Sequence, residues 1–413
     1  MAMNENLVKK PKKSDELLDD DEDEIELDDD EEDEKETKRI SFKPNDPKKR
    51  MLFVMGIIVG GLLLLFIILF LVSTFSKKVY TYDGLESVLK SAAISYFQDH
   101  KDYLPKEDGD VVEVDSANLI AEGKMNDLSE YNTETGVCSS ASVQVEKTDD
   151  SYLYTPYINC GENYSTQELY KLVTSKVVNE GYGVYQHNEE YAYRGENVNN
   201  FVQLGGNIWR IVKVTSNHNV VLISADALPY SYPWDNRYNT NEKFESGIND
   251  FAASRIKDSL TSIYVKPNEK KSENILTDSD KSLLITTNLC IGKRAVTSEG
   301  KDNVEECGTT ISNQRMGLLT LSDYMYASVD ANCKTSENKS CKNYNYLVLK
   351  NSEWWLLTPD SGNTSNVFVV RAGGNIIVDS ASSYCGIRPV ITLNSKVMYK
   401  SGKGTYDDPY LVK

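Results

Sequence analysis

The apolar positions change period along the chain, and each change marks a different element. Residues 51–75, MLFVMGIIVGGLLLLFIILFLVSTF, are apolar on every face and carry no charge. Residues 51–72 span 22 positions, or ~33 Å as a helix at ~1.5 Å per residue, enough to cross a hydrocarbon core of ~30 Å. Residues 82–97 then place Leu85, Val88, Leu89, Ala92, Ala93, Tyr96 and Phe97 at a spacing near ~3.6, predicting an amphipathic helix with Asp83 as its N-cap. A short helix is expected at residues 116–122, stopped by Gly123. Residues 141–147 and 152–160 alternate apolar and polar around a turn at 148–151 and predict a hairpin.

Residues 181–200 are rich in Gly, Asn and Tyr and read as a connector. Beyond them, segments 205–214, 219–228, 282–292, 353–359, 366–374 and 386–393 read as short strands, 250–264 as a helix, and 315–328 as a strand or short helix. Many short strands with few helices predict an α+β fold built on antiparallel sheet. The organisation expected is a tail over 1–50, a transmembrane helix over 51–75, a small α+β region over 76–170, a connector over 171–192, and a larger α+β domain over 193–413.

Charge sharpens this division. The 413 residues carry a formal charge of −18, yet residues 15–36 hold 17 acidic side chains and one Lys. Such a tract repels itself and predicts a disordered tail. Lys38, Arg39, Lys43, Lys48, Lys49 and Arg50 precede the apolar run, whereas only Lys77 and Lys78 directly follow it. Positive residues are retained on the cytoplasmic side, so the N-terminus is expected inside and residues 76–413 outside, as a single-pass type II protein. Gly56 and Gly60 form a small-xxx-small pair through which two such helices could associate. The acidic balance offers no phosphate-neutralising surface, so nucleic acid is not an expected partner. With 3 His and no Cys-x-x-Cys, neither a metal site nor a cofactor is expected.

Two stretches carry resemblances. SAAISYF, Leu104-Pro105, NLIAEG, Cys138 before SVQVEK, and YINCGENYST resemble the headpiece of Gram-positive pilins and pseudopilins, over about residues 80–170. The chain lacks their processing site before the apolar helix. YRGENVNNFVQLGGNIWRIVKV, LLTLSDY, WWLLTPDSG, GIRPVITL and the terminal GKGTYDDPYLV resemble an uncharacterised extracytoplasmic domain family of Bacillota. Its tryptophan-rich strands and Gly-x-Arg-Pro-Val are similar to the C-type-lectin-like fold shared with formylglycine-generating enzymes, which implies that fold over about 193–413.

An outside location permits disulfides, and seven cysteines leave one over. Proximity in sequence pairs Cys138–Cys160, Cys290–Cys307 and Cys333–Cys341, leaving Cys385 as a free thiol. Cys385 in SSYCGIR superficially resembles a cysteine transpeptidase nucleophile, but His100, His187 and His218 are all remote in sequence. The S-x-x-K matches at Ser87, Ser298 and Ser336 have no Lys-Thr-Gly or Ser-Asp-Asn beside them. No catalytic constellation is assembled by spacing alone.

Aromatic side chains remain, since tyrosine is abundant, at 26 residues. Trp209 is expected to be structural, and so is Arg388. Trp234, Trp355 and Tyr238 are the candidates for stacking against a ligand. The leading expectation is therefore a membrane-anchored bacterial surface protein whose outer module binds a cell-envelope polymer, a glycan or a surface protein. A structural subunit related to pilin-like secretion systems and an envelope-modifying enzyme are the alternatives.

Overall fold

The computed structural model describes residues 47–75, 78–237, 247–265 and 276–413. The acidic tract and Tyr238 lie outside the described residues. The chain divides into two compact units, Met1–Ser76 and Lys77–Lys413.

In the first unit a single helix spans Pro47–Phe75. Its segment Met51–Ile68 is long and apolar enough to cross a membrane and has no side chain buried within the protein. This is the reverse of a soluble core helix, whose apolar stripe finds protein partners. Nothing lies within 4 Å of a Cβ built at Gly56 or Gly60, so that face of the helix is open.

The second unit is α+β and holds two hydrophobic clusters. The smaller forms where helix Tyr82–Asp99 packs on an antiparallel sheet of Val111–Asp115, Ser140–Thr148 and Ser151–Asn159. Leu85, Leu89, Ala93 and Phe97 recur one turn apart on its buried face and meet Val143 and Val145 of the central strand. The N-cap is Thr81 rather than Asp83: the Thr81 hydroxyl accepts from the Gly84 N–H, and Asp83 moves into the first turn. There Asp83 pairs with Lys400 and Lys413 at 2.6 and 3.1 Å. Buried Glu86, next on that helix, accepts from Tyr164 and Thr166 at 2.8 and 2.6 Å and pairs with Lys413. The first helix after the apolar segment is thus tied to strand Tyr399–Ser401 and to Lys413, which follows strand Tyr410–Val412.

The larger cluster surrounds an eight-stranded sheet. Strands Val390–Leu393, Val220–Ser224, Asn207–Val214 and Phe201–Leu204 run in that order, followed by Tyr410–Val412 and Tyr399–Ser401. All these pairings are antiparallel except that of Tyr410–Val412 with Phe201–Leu204. Residues 171–192 are not a connector. Strands Gly183–His187 and Glu190–Arg194 form a hairpin, and the second pairs with Asn207–Val214 at Lys213 and Val214. Leu169 and Val173 of helix Leu169–Thr174 enter the larger core. The Gly and Asn residues that suggested a linker instead serve tight turns, as at Gly181 and Asn188, both with positive φ.

Three disulfides join Cys138 to Cys160, Cys290 to Cys307 and Cys333 to Cys341. Cys385 is free and buried.

Candidate functional site

The sheet's residue period places the site. Lys213 pairs across strands with Val221, and Val221 with Thr392, so these three side chains form a row on one face. Val214, Val220 and Leu222 point the other way into the core. Above the row opens a cleft of about 540 Å³. Its floor is aliphatic, with Val221, Leu318, Leu319, Leu357 and Val390. Its more exposed lining is amide, hydroxyl and carboxylate, with Asn217, Asn219, Asn288, Asn303, Thr286, Glu190 and Asp323.

One cation sits at the end of the row. Lys213 Nζ lies 3.2 Å from Glu190 Oε2 and 3.4 Å from Asp323 Oδ1. Burial works against its charge, but Asp323 and then Glu190 outweigh that effect and hold the ammonium above the ordinary lysine range. It is therefore a fixed cation, not a base or an amine nucleophile. Asp323 is itself positioned, because the Asn303 amide donates to Oδ1 at 2.8 Å and Asp323 N–H donates to Thr320 Oγ1 at 3.1 Å. Thr320 Oγ1 donates in turn to Asn303 Oδ1 at 2.6 Å.

The Cys290–Cys307 disulfide builds one wall. It ties strand Thr287–Cys290 to the loop carrying Asn303, and both sulfur-bearing residues line the cleft. Asn303 has φ of 61°, a left-handed conformation that Asn tolerates better than most residues, and its C=O accepts from Cys307 N–H at 2.8 Å. Amide and hydroxyl groups around an apolar floor suit a polyhydroxylated or amide-bearing ligand, with directional contacts at the rim and area at the base.

The tryptophans named as ligand contacts are not available for that role. Trp234 is fully buried, packs against Phe251 at 6.0 Å between ring centroids, and donates Nε1–H to Leu356 O at 3.3 Å. Its polar neighbours in PYSYPWDNRY suggested exposure, but they serve a loop that folds inward. Trp355 is fully buried in strand Trp354–Pro359, every residue of which is buried, and its Nε1–H is bonded to Tyr232 O at 2.8 Å. The uninterrupted WWLL run is that of a strand covered on both faces. Trp209 is buried, and Arg388 is fully buried with three backbone carbonyls as acceptors.

Cys385 does not form a nucleophile. Burial, followed by the charges of Glu353 and Asp379, pushes its thiol up to about 12, and Sγ lies 3.8 Å from Glu353 Oε1. With the thiol protonated, alkylation of the native protein at pH 8 is expected to run about a thousandfold slower than for an ordinary thiol. Unfolding without reductant should release one reactive thiol per chain. Rapid stoichiometric labelling of the folded protein would contradict this assignment. No cluster of three or more His, Cys, Asp or Glu placed to hold a metal ion occurs among the described residues.

Residues 218–395 match the family described as "Domain of unknown function (DUF6273)". No curated protein and no solved structure matches the chain. The matched stretch supplies the cleft's floor and most of its rim, while Glu190, Lys213, Thr215 and Asn217 precede it.

Proposed function

We propose that the protein is a membrane-anchored binding module, with its N-terminus cytoplasmic and residues 76–413 outside, that holds a segment of a cell-envelope polymer in the Lys213 cleft. The observation that carries this reading is the fixed ammonium at the end of an amide- and hydroxyl-rimmed, aliphatic-floored cleft. The charge-free segment Met51–Ile68 supports an anchor, the basic residues before it support the orientation, and the disulfides support an oxidising compartment. Gly56 and Gly60 offer a face for self-association of the anchors.

Co-sedimentation of the full-length, detergent-solubilised protein with purified Gram-positive cell wall tests the proposal. Wild type should be retained. Lys213→Met should weaken retention by about 10- to 100-fold, as expected for loss of a charge-assisted contact of about 1.5–3 kcal/mol. Lys396→Met, which removes an exposed pair with Glu146, should leave retention unchanged. No retention of wild type, or equal retention of Lys213→Met, would remove the reading.

A further inference from the structure

The exposed tyrosines include a pair assembled from distant parts of the chain. The rings of Tyr182 and Tyr344 lie 6.1 Å apart between centroids, with their planes tilted by 34°. They are 41% and 50% exposed. Neither lines the Lys213 cleft.

The backbone beneath them brings the two rings together. Gly195 N–H donates to Ala327 O at 2.9 Å, and Tyr346 N–H donates to Gly195 O at 2.8 Å. Gly195 has φ of +109°, and a Cβ there would fall 2.5 Å from ring carbons of Tyr182. The Tyr182 ring thus lies on bare backbone, and only glycine permits that seat. On the other side, Tyr344 has φ of 48°. This left-handed conformation suits Gly or Asn and is unfavourable for a bulky aromatic residue. A glycine would relieve the turn, yet the position carries a ring and presents it to solvent. Outliers of this kind concentrate at functional sites.

The surroundings are polar and hydrogen-bonding. Asn343, next to Tyr344, is exposed and donates through its amide to Asp330 Oδ2 at 2.8 Å. Exposed Glu196 directly follows Gly195, on whose backbone the Tyr182 ring rests. Two rings offer far less than the roughly 800 Å² per partner of a stable protein interface. They are matched in size to a small rigid ligand with one apolar face, and tyrosine rings hold such a face at low entropic cost.

We propose that Tyr182 and Tyr344 form a saccharide-stacking platform, separate from the cleft, with Asn343 and Glu196 placed to bind the hydroxyl groups of the sugar. The proposal depends on the extracytoplasmic placement given above but not on the cleft. Titration calorimetry of the full-length protein against glucan, chitin and mannan hexasaccharides tests it, with thermal melting of each variant in parallel. At least one oligosaccharide should bind wild type. Tyr182→Ala and Tyr344→Gly should each weaken that binding at least tenfold. Tyr344→Gly should melt at the wild-type temperature or above it, because glycine relieves the left-handed turn. Lys396→Met, the exposed control outside the cleft, should change this binding less than twofold. Absence of binding to every oligosaccharide, or unchanged binding in Tyr344→Gly, would overturn the platform. A lowered melting temperature in Tyr344→Gly would also overturn it, by making the ring a packing residue. Oligosaccharide binding lost in Lys213→Met but kept in Tyr344→Gly would leave the cleft reading standing and remove the platform. The reverse pattern, with wall retention insensitive to Lys213→Met, would remove the cleft and keep the platform.

Discussion

Trp234→Ala is expected to destabilise the extracytoplasmic unit by about 3–5 kcal/mol, the usual cost of emptying a fully buried aromatic site. The melting temperature should fall on the order of 10 °C. The indole fills the space between Phe251 and the strand Trp354–Pro359, and its N–H satisfies the Leu356 carbonyl. Truncation therefore removes packing and also leaves an acceptor unpaired in the interior. Calorimetric melting checks the effect, and retention on cell wall should be normal per folded molecule. A Trp234→Ala protein with wild-type stability and no retention would instead return this residue to the role of ligand contact.

Arg388→Met is expected to cost about 3 kcal/mol or more, from loss of a hub of buried bonds. The guanidinium donates to Ser224 O, Ala225 O and Leu347 O at 3.0, 2.9 and 2.8 Å and lies 4.8 Å over the Trp354 ring. Burial, then the charge of Arg210, pushes its pKa down to about 9, which leaves it charged at neutral pH. Three carbonyls from two separate segments lose their donor together when it is removed. Lysine keeps the charge but not the planar fork, so Arg388→Lys should recover only part of the loss. Urea unfolding of the three proteins checks the order wild type, Arg388→Lys, Arg388→Met. Equal midpoints would show that the carbonyls find other donors.

Much of the scaffold could be read from residue order because its signals are local. A long charge-free run has few alternatives to a helix in lipid, and a ~3.6 period specifies one face of the helix Tyr82–Asp99. Cystine partners such as Cys333 and Cys341 are near neighbours, eight positions apart. The α+β class followed from the short strands.

The candidate site was not readable in the same way. Glu190, Lys213, Asn303 and Asp323 come from four separated segments, and each taken alone reads as a solvated polar residue. Alternation in NIWRIVKV would group Lys213 with buried Trp209 and Ile211, and it is the register shift between Ile211 and Lys213 that turns the lysine to the other face, away from Val214. What the order could not convey was that strand Thr287–Cys290, the Asn303 loop and the helix Leu321–Tyr326 close over that face. Trp234 failed in the opposite direction. Its flanking Pro, Asp, Asn and Arg are loop-like, and burial there is set by the long-range contact with Leu356.

Hydrogen exchange of the full-length protein, with and without soluble fragments of Gram-positive cell wall, measures the central claim most directly. If the cleft holds the polymer, slowed exchange should concentrate in residues 215–221, 286–290 and 303–307, around Lys213. Protection confined to other segments of a protein that binds the fragments would contradict it.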